Sequence, residues 1–395
     1  MKDCDHASEQ EHACAKPSRR EALIMGAVGI GAVCTPGLVE AAPTRLGVSE
    51  ISKIDIYSHV VPPSYLDVLR QRYKDAGIVK RIQQLRMLWD IDARAEMLDQ
   101  WPEVQQVITL SHPSPEAVDG PQGSPEVARI ANDGLAAFVA RHPDKFPTFA
   151  AALPMNNVPA AIAEMDRAVG KLGARGIQME THVNGRALDD PELLPIFEHA
   201  ARVHQIPIWL HPGRSASFAD YPGEDKSRYE IWQVLGWPYD TSAAMARLVF
   251  SGVLDRFPDL KIITHHCGGM LPYFGGRAES LWQQMGVRTA DEDLSQVTKR
   301  LRRPFMEQFR SFYGDTVLGG SSSALRCGLD FFGPDKIVFA SDCPFDPEQG
   351  PGFIRDGIKS IEALNLDDPT RRKIYHENAL RLLKVESKPF PKIPG

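Results

Sequence analysis

An apolar run, a polar or titratable residue at its end, a Pro/Gly/Ser-rich turn and then an amphipathic stretch recur along this chain about eight times. The runs are Ile51–His59, Val104–His112, Phe146–Leu153, Ala174–His182, Ile206–His211, Lys261–His266, a weaker Phe312–Val317, and Lys336–Asp342. Between them lie helical patterns at Tyr65–Gln100, Pro125–Arg141, Pro159–Leu172, Pro191–His204 and Thr241–Phe257, with Asp367–Leu383 closing the series. Strands that alternate with helices pair in parallel through right-handed crossovers. Eight such units predict a (β/α)8 TIM barrel of the metal-dependent hydrolase type, with a doubly wound open sheet as the other arrangement.

A barrel makes a further demand: its working groups stand at the C-terminal ends of the strands. His59, His112, His182, His211, His265, His266 and Asp342 all end apolar runs. The densest stretch is Lys261–Arg277, where Ile262 and Ile263 give way to Thr264, His265 and His266, followed by glycines and Pro272. Any one strand-end histidine is equally well a core residue beside a turn. Their repetition on one rim is what points to chemistry. Imidazole and carboxylate are the ligands of a borderline divalent metal, and three of them with an open position make the catalytic kind of site.

The net charge of -6 gives no reason to expect a nucleic-acid or anionic-membrane partner. No GxGxxG follows a first strand and no GxxxxGK[ST] occurs, so nucleotide binding has no support. Cys267, Cys327 and Cys343 lie in the body of the chain without CxxC spacing, which argues against a disulfide framework or a cysteine zinc site. Ser18-Arg19-Arg20 precedes the apolar, Gly/Ala-rich Ile24–Val33, and small residues follow at Ala41-Ala42. This pattern reads as a twin-arginine export signal over residues 1–42, so the mature protein is expected in the periplasm or outside the cell, without a membrane span. Residues 43–50 then read as a linker, 51–385 as the barrel and 386–395 as a Pro-rich tail.

Five stretches resemble the amidohydrolase superfamily, in the branch of aminocarboxymuconate-semialdehyde decarboxylase and the aromatic-acid decarboxylases. They are Ile54–Pro62, Leu88–Arg94, Gly176–Asn184, Phe257–Lys261 running into His266–Arg277, and Phe339–Phe345. The resemblance implies that His59, His211 and Asp342 are metal ligands and that His266 is the catalytic histidine handling water at the metal. His265 is then expected to pack or support. Asp342 is expected to be both ligand and proton donor. The resemblance also implies that Arg277 reaches into a neighbouring subunit's site to hold a substrate carboxylate, which makes the protein a homodimer.

The family pattern places a histidine or an acidic residue where this chain has Tyr57. A neutral phenol is a poor zinc ligand. Tyr57 is read as contacting a water or the substrate beside a three-ligand site, with phenolate ligation and loss of the metal as the alternatives. One divalent metal is expected, zinc first, with manganese or another divalent ion open. The expected substrate is a small aromatic or unsaturated carboxylic acid. Arg81, Arg86, Trp89 and His182 are further candidates to line its pocket, and Trp209, Trp232 and Trp237 are candidates for an aromatic wall. The expected reaction is non-oxidative decarboxylation. Hydrolysis of a lactone, amide or carbon–carbon bond is the alternative, and a metal-free exported binding protein the second alternative.

Overall fold

In the computed structural model, residues 51–385 are described, and the expected export signal, linker and Pro-rich tail lie outside them. Eight short parallel strands carry the fold: β1 (Lys53–Val60), β2 (Val104–Leu110), β3 (Ala150–Ala152), β4 (Gly176–Glu180), β5 (Ile208–His211), β6 (Ile262–Thr264), β7 (Tyr313–Asp315) and β8 (Ile337–Val338). Neighbours in sequence are neighbours in space from β1 to β8, and β2 joins β3 through a bridge between Ile108 and Phe149. The ring closes where the Ile56 amide donates to Phe339 O (2.9 Å) and the His59 amide to Cys343 O (2.8 Å). This is the predicted (β/α)8 barrel.

Ile54, Ile56, Tyr57, Val107, Trp209, Ile263, Tyr313 and Val338 form an apolar cluster drawn from β1, β2, β5, β6, β7 and β8. A second cluster runs from the strands out to the helices and includes Ile108, Leu110, Ile177, Ile208, Leu248 and Ile262. With apolar side chains buried on both sides, strands of this kind show runs rather than alternation, which is why the sequence reveals them.

Several expected elements are shorter or broken. The span Tyr65–Gln100 is four helices, at Pro63–Arg72, Ala76–Gln84, Arg86–Trp89 and Ile91–Leu98. Asp75 and Asp90 cap the second and last of them through their side chains, and each cap forces a new start. The fourth strand stops at Glu180, so His182 stands in a small antiparallel hairpin beyond it, His182–Val183 against Arg186–Ala187. Among the described residues no helix is long and apolar enough to cross a membrane.

Candidate active site at the barrel mouth

β1 has a register irregularity between Asp55 and Ser58, and Ile56 and Tyr57 consequently both join one apolar cluster. Beneath them the buried Asp55 carboxylate accepts from Gln106 Nε2 (2.7 Å), from the Ser341 amide (2.9 Å) and from the Ser341 hydroxyl. Burial pushes its pKa up to about 6. Arg94, also buried, donates to Gln106 Oε1 (2.8 Å) and Cys343 O (3.2 Å). This network ties β1, β2 and the segment after β8 together directly below the mouth.

His59, His211, His265, His266, Asp315 and Asp342 meet above it. His59 Nε2 lies 3.1 Å from Asp342 Oδ1, and His265 Nε2 lies 3.4 Å from the same oxygen. The ligating atoms of His59, His211 and His265 all fall within 4.8 Å of one another, and so do those of His265, His266 and Asp342. Neighbouring residues of an extended strand point to opposite faces, yet His265 and His266 both reach the cluster, with ring centroids 4.0 Å apart. The reason is that β6 ends at Thr264 and the chain turns through left-handed backbone at His266 (φ 54°) and Cys267 (φ 54°). Gly269 completes the turn against Pro238, whose carbonyl oxygen a Cβ would meet at 2.2 Å.

The partners of each ring fix its tautomer. His211 Nδ1 faces Pro212 O at 2.8 Å, and a carbonyl only accepts, so Nδ1 carries the proton. The Thr109 hydroxyl donates to Ser58 O (3.1 Å) and accepts from His59 Nδ1 (3.1 Å). His265 Nδ1 donates to Asp315 Oδ2 at 2.5 Å. His59 and His211 therefore keep Nε2 bare, and His265, with Nδ1 on Asp315, turns its Nε2 towards Asp342. The same arrangement orients metal-ligating histidines in general.

The buried atoms His59 Nε2, His265 Nε2, His266 Nδ1 and Tyr57 Oη have no hydrogen-bond partner. Such atoms are costly unless something binds them. For the protein atoms alone, burial and the charge of His265 hold His211 well below the usual imidazole range, and the same causes bring His266 down to about 3. Burial disfavours the imidazolium of His265, but Asp315 and Asp342 outweigh it and raise that group to about 9. Burial opposes ionisation of Asp342, yet His265 and His59 hold its carboxyl well below the carboxylate range. The bare nitrogens of His59 and His211 beside an ionised carboxylate fit a divalent cation. His59, His211 and Asp342 would hold it, with His265 against Asp342. Burial, Asp315 and Asp342 all raise the Tyr57 phenol well above its usual pKa, and its ring stacks on His265 at 4.1 Å. For the protein atoms alone, Tyr57 is thus held as a neutral phenol.

The other candidates divide. Trp237 reaches the cluster, 5.4 Å from the His211 ring and 6.0 Å from His266, and Trp232 packs edge-on against it at 5.6 Å. Trp209 does not join that wall: it is fully buried and donates to Ile56 O at 2.7 Å. His182 stands beside Phe218, with ring centroids 5.8 Å apart, and accepts from the Gly185 amide. His112 pairs with Glu180 at 2.7 Å. Arg81 and Arg86 are exposed, and Arg86 pairs with Asp90 one helical turn on, so neither is held against the cluster. Trp89 lines an outer groove with Pro63, Phe138 and Arg141. Arg277 is exposed on the helix Leu271–Trp282.

Sequence reasoning missed Asp315, Glu180 and the central place of His265. Asp315 and Glu180 each end a strand with a carboxylate, the same signal that singled out Asp342.

The chain is similar to 2-amino-3-carboxymuconate-6-semialdehyde decarboxylase of Dictyostelium discoideum, 27% identical over 353 residues, covering 85% of this chain and 92% of the relative. It is also similar to gamma-resorcylate decarboxylase of Rhizobium sp., 28% identical over 316 residues, covering 77% of this chain and 90% of that one. Among solved structures, a dihydroxybenzoic acid decarboxylase from Polaromonas sp. with bound manganese and the inhibitor 2-nitroresorcinol superimposes with a TM-score of 0.67 at 26% identity, covering 85% of this chain and 97% of the other. The family profile described as Amidohydrolase matches residues 54–385, and with the strand-end cluster in place the chain belongs to that family.

Proposed function

We propose that this protein is a metal-dependent, non-oxidative decarboxylase of an aromatic or unsaturated carboxylic acid. The observation that carries the reading is the convergence of imidazole nitrogens and the Asp342 carboxylate at the C-terminal rim of an amidohydrolase barrel. Its decarboxylase relatives span nearly their whole length on this chain.

His59, His211 and Asp342 hold one divalent ion, which when bound supplies a positive centre that orients the substrate and draws charge from it. Trp237 offers a flat apolar face beside the ligands. His265 handles the proton. Its Nδ1–H is held by Asp315, so its Nε2 is the exchanging position, next to Asp342. The proton goes to the carbon that bears the carboxylate. The electron pair of the breaking carbon–carbon bond stays on that carbon and becomes the new C–H bond as carbon dioxide leaves. His266, with Nδ1 unpartnered inside the same cluster, is the second acid–base group. Manganese, the ion held by the Polaromonas relative, and zinc, which suits the His/His/Asp donors, are the two ions to test.

The chain also works as a homodimer in this reading. Arg277 is exposed and shares its helix with the exposed Tyr273 and Phe274, which suits a surface covered by a second copy. Export by the twin-arginine route rests on Ser18-Arg19-Arg20 and the apolar run after it.

The test is carbon dioxide release from hydroxybenzoic and muconic-type acids by protein stripped of metal and reloaded with manganese or zinc. Release that requires the ion supports the reading. Ion-dependent cleavage of lactones or amides with no carbon dioxide from any acid would replace it with hydrolysis. Arg277→Ala is expected to raise KM roughly tenfold with the fold intact, the scale of a lost charge-assisted carboxylate contact.

A further inference from the structure

The outer wall of the barrel carries a second convergence of metal-ligating groups, on elements that contribute nothing to the mouth. Asp166 lies near the end of the helix Val158–Arg167, which follows β3. His199 and His204 open and close the helical segment His199–His204, which follows β4. In an α-helix, residues five apart point about 140° away from each other around the axis. This segment has the wider π winding, whose i→i+5 hydrogen bonds bring such residues towards one face. As a result His199 Nε2 and His204 Nε2 each lie 2.7 Å from the same oxygen, Asp166 Oδ1, with ring centroids 5.1 Å apart.

Among the described residues the ion pairs of Asp166 come only from these two histidines. The imidazoles are sheltered at 19% and 17% exposure, while Asp166 is 52% exposed. Hydrogen bonds from His199 and then His204 hold the Asp166 carboxyl below the usual range. Two ring nitrogens and one carboxylate oxygen within ligand reach of one another form a donor set for a borderline divalent ion.

The geometry points to a second metal site, in which Asp166, His199 and His204 bind one zinc-class divalent cation on the outer wall. Zinc bonds of 2.0–2.2 Å set tetrahedral ligands roughly 3.3 Å apart, so the carboxylate must withdraw by roughly half an ångström. Its exposure allows that movement. The fourth position faces solvent and takes water. The ion ties the helix after β3 to the helix after β4, cross-linking two neighbouring βα units far from the reacting groups. It is a structural clamp, and turnover at the mouth does not depend on it.

The experiment is equilibrium dialysis of the full chain against buffered free Zn2+, with zinc per chain counted by mass spectrometry. It compares wild type with Asp166→Asn and with the double variant His199→Gln/His204→Gln. Wild type is expected to take up one more zinc per chain than either variant, with carbon dioxide release unchanged among the three. Equal uptake with equal affinity in all three overturns the proposal. If the variants do not fold, anomalous diffraction at the zinc edge from zinc-loaded wild-type crystals decides the matter. An anomalous peak between Asp166, His199 and His204 supports the outer site, and no peak there overturns it.

Discussion

On the side of the mouth built by β1, β5 and β6, the rings of His59, His211 and His265 each donate Nδ1–H to a fixed acceptor and turn Nε2 inward. On the side built by β2 and β4, the same residue type ends differently. His112 commits its Nδ1 to Glu180, and His182 accepts the Gly185 amide on Nδ1, which leaves its proton on Nε2. His182 therefore has no bare Nε2 to offer, and His112, whose Nδ1 faces a carboxylate as that of His265 does, is not among the groups whose ligand atoms converge at the mouth. The comparison teaches that a position at a strand end is not enough: the acceptor behind the ring and the place of the ring together decide whether a nitrogen reaches the cluster. The acceptors are a hydroxyl, a backbone carbonyl and a carboxylate, all placed by the strands themselves.

Four measurements would break or sharpen this contrast. The largest effect is expected from His211→Ala, with loss of the ion and a fall in kcat of about 10³-fold or more, since the ion supplies several kcal/mol. Metal analysis and turnover on the same sample check it, and a variant that keeps both would erase the distinction between the two sides. His265→Ala is expected to lower kcat by about 10²–10⁴-fold with the ion retained, the range for a lost acid–base group. His266→Ala is expected to lower it less. The reverse order in steady-state assays would give the proton-handling role to His266. Asp315→Asn leaves the His265 ring in place but weakens the acceptor that fixes its tautomer. A loss of about 10–100-fold in activity is expected, as for other groups standing behind a ligand or catalytic histidine.

The smallest effect belongs to the β2–β4 side and is one of stability. Burial, reinforced by the charge of Glu180, pushes Glu116 up to about 8 from the ordinary 4.5. Below pH 4.5 both folded and unfolded chains hold this proton and nothing is lost. As pH rises towards 8 the unfolded chain releases the proton first, so the group destabilises the fold over that window. Glu116→Gln is therefore expected to raise the unfolding free energy at neutral pH by about 1–3 kcal/mol and to change nothing at pH 4. Denaturant titrations at the two pH values check it, and an equal shift at both would show that the charge is not the cause.

Much of the barrel was legible because every strand is buried on both sides and so reads as an apolar run. His59, His211, His265, His266 and Asp342 were legible because strand ends are where such runs stop. What the runs cannot show is the turn after them. His265 and His266 are adjacent in sequence, and only the left-handed backbone at His266 and Cys267 reveals that both face one cluster. His182 looked like a strand end because Thr181-His182 continues the run, but β4 stops at Glu180. Asp315 was hidden by the shortness of β7, whose three residues include one glycine. Arg81 and Arg86 drew attention as charges near a motif, and their exposure follows from the helix breaks imposed by the Asp75 and Asp90 caps.

Asp342 holds its carboxylate at the centre of the cluster from a backbone with φ of 63°. Asparagine and aspartate tolerate that conformation better than other residues with a side chain. Replacement by alanine or glutamate would therefore disturb the main chain that closes the barrel at Tyr57 O as well as the ligand. For anyone re-engineering this mouth for another acid, position 342 is open only to asparagine or glycine if the frame is to stay. Diversity is better sought at Trp237 and Phe345, whose rings border the cluster, and at Trp232 packed against Trp237.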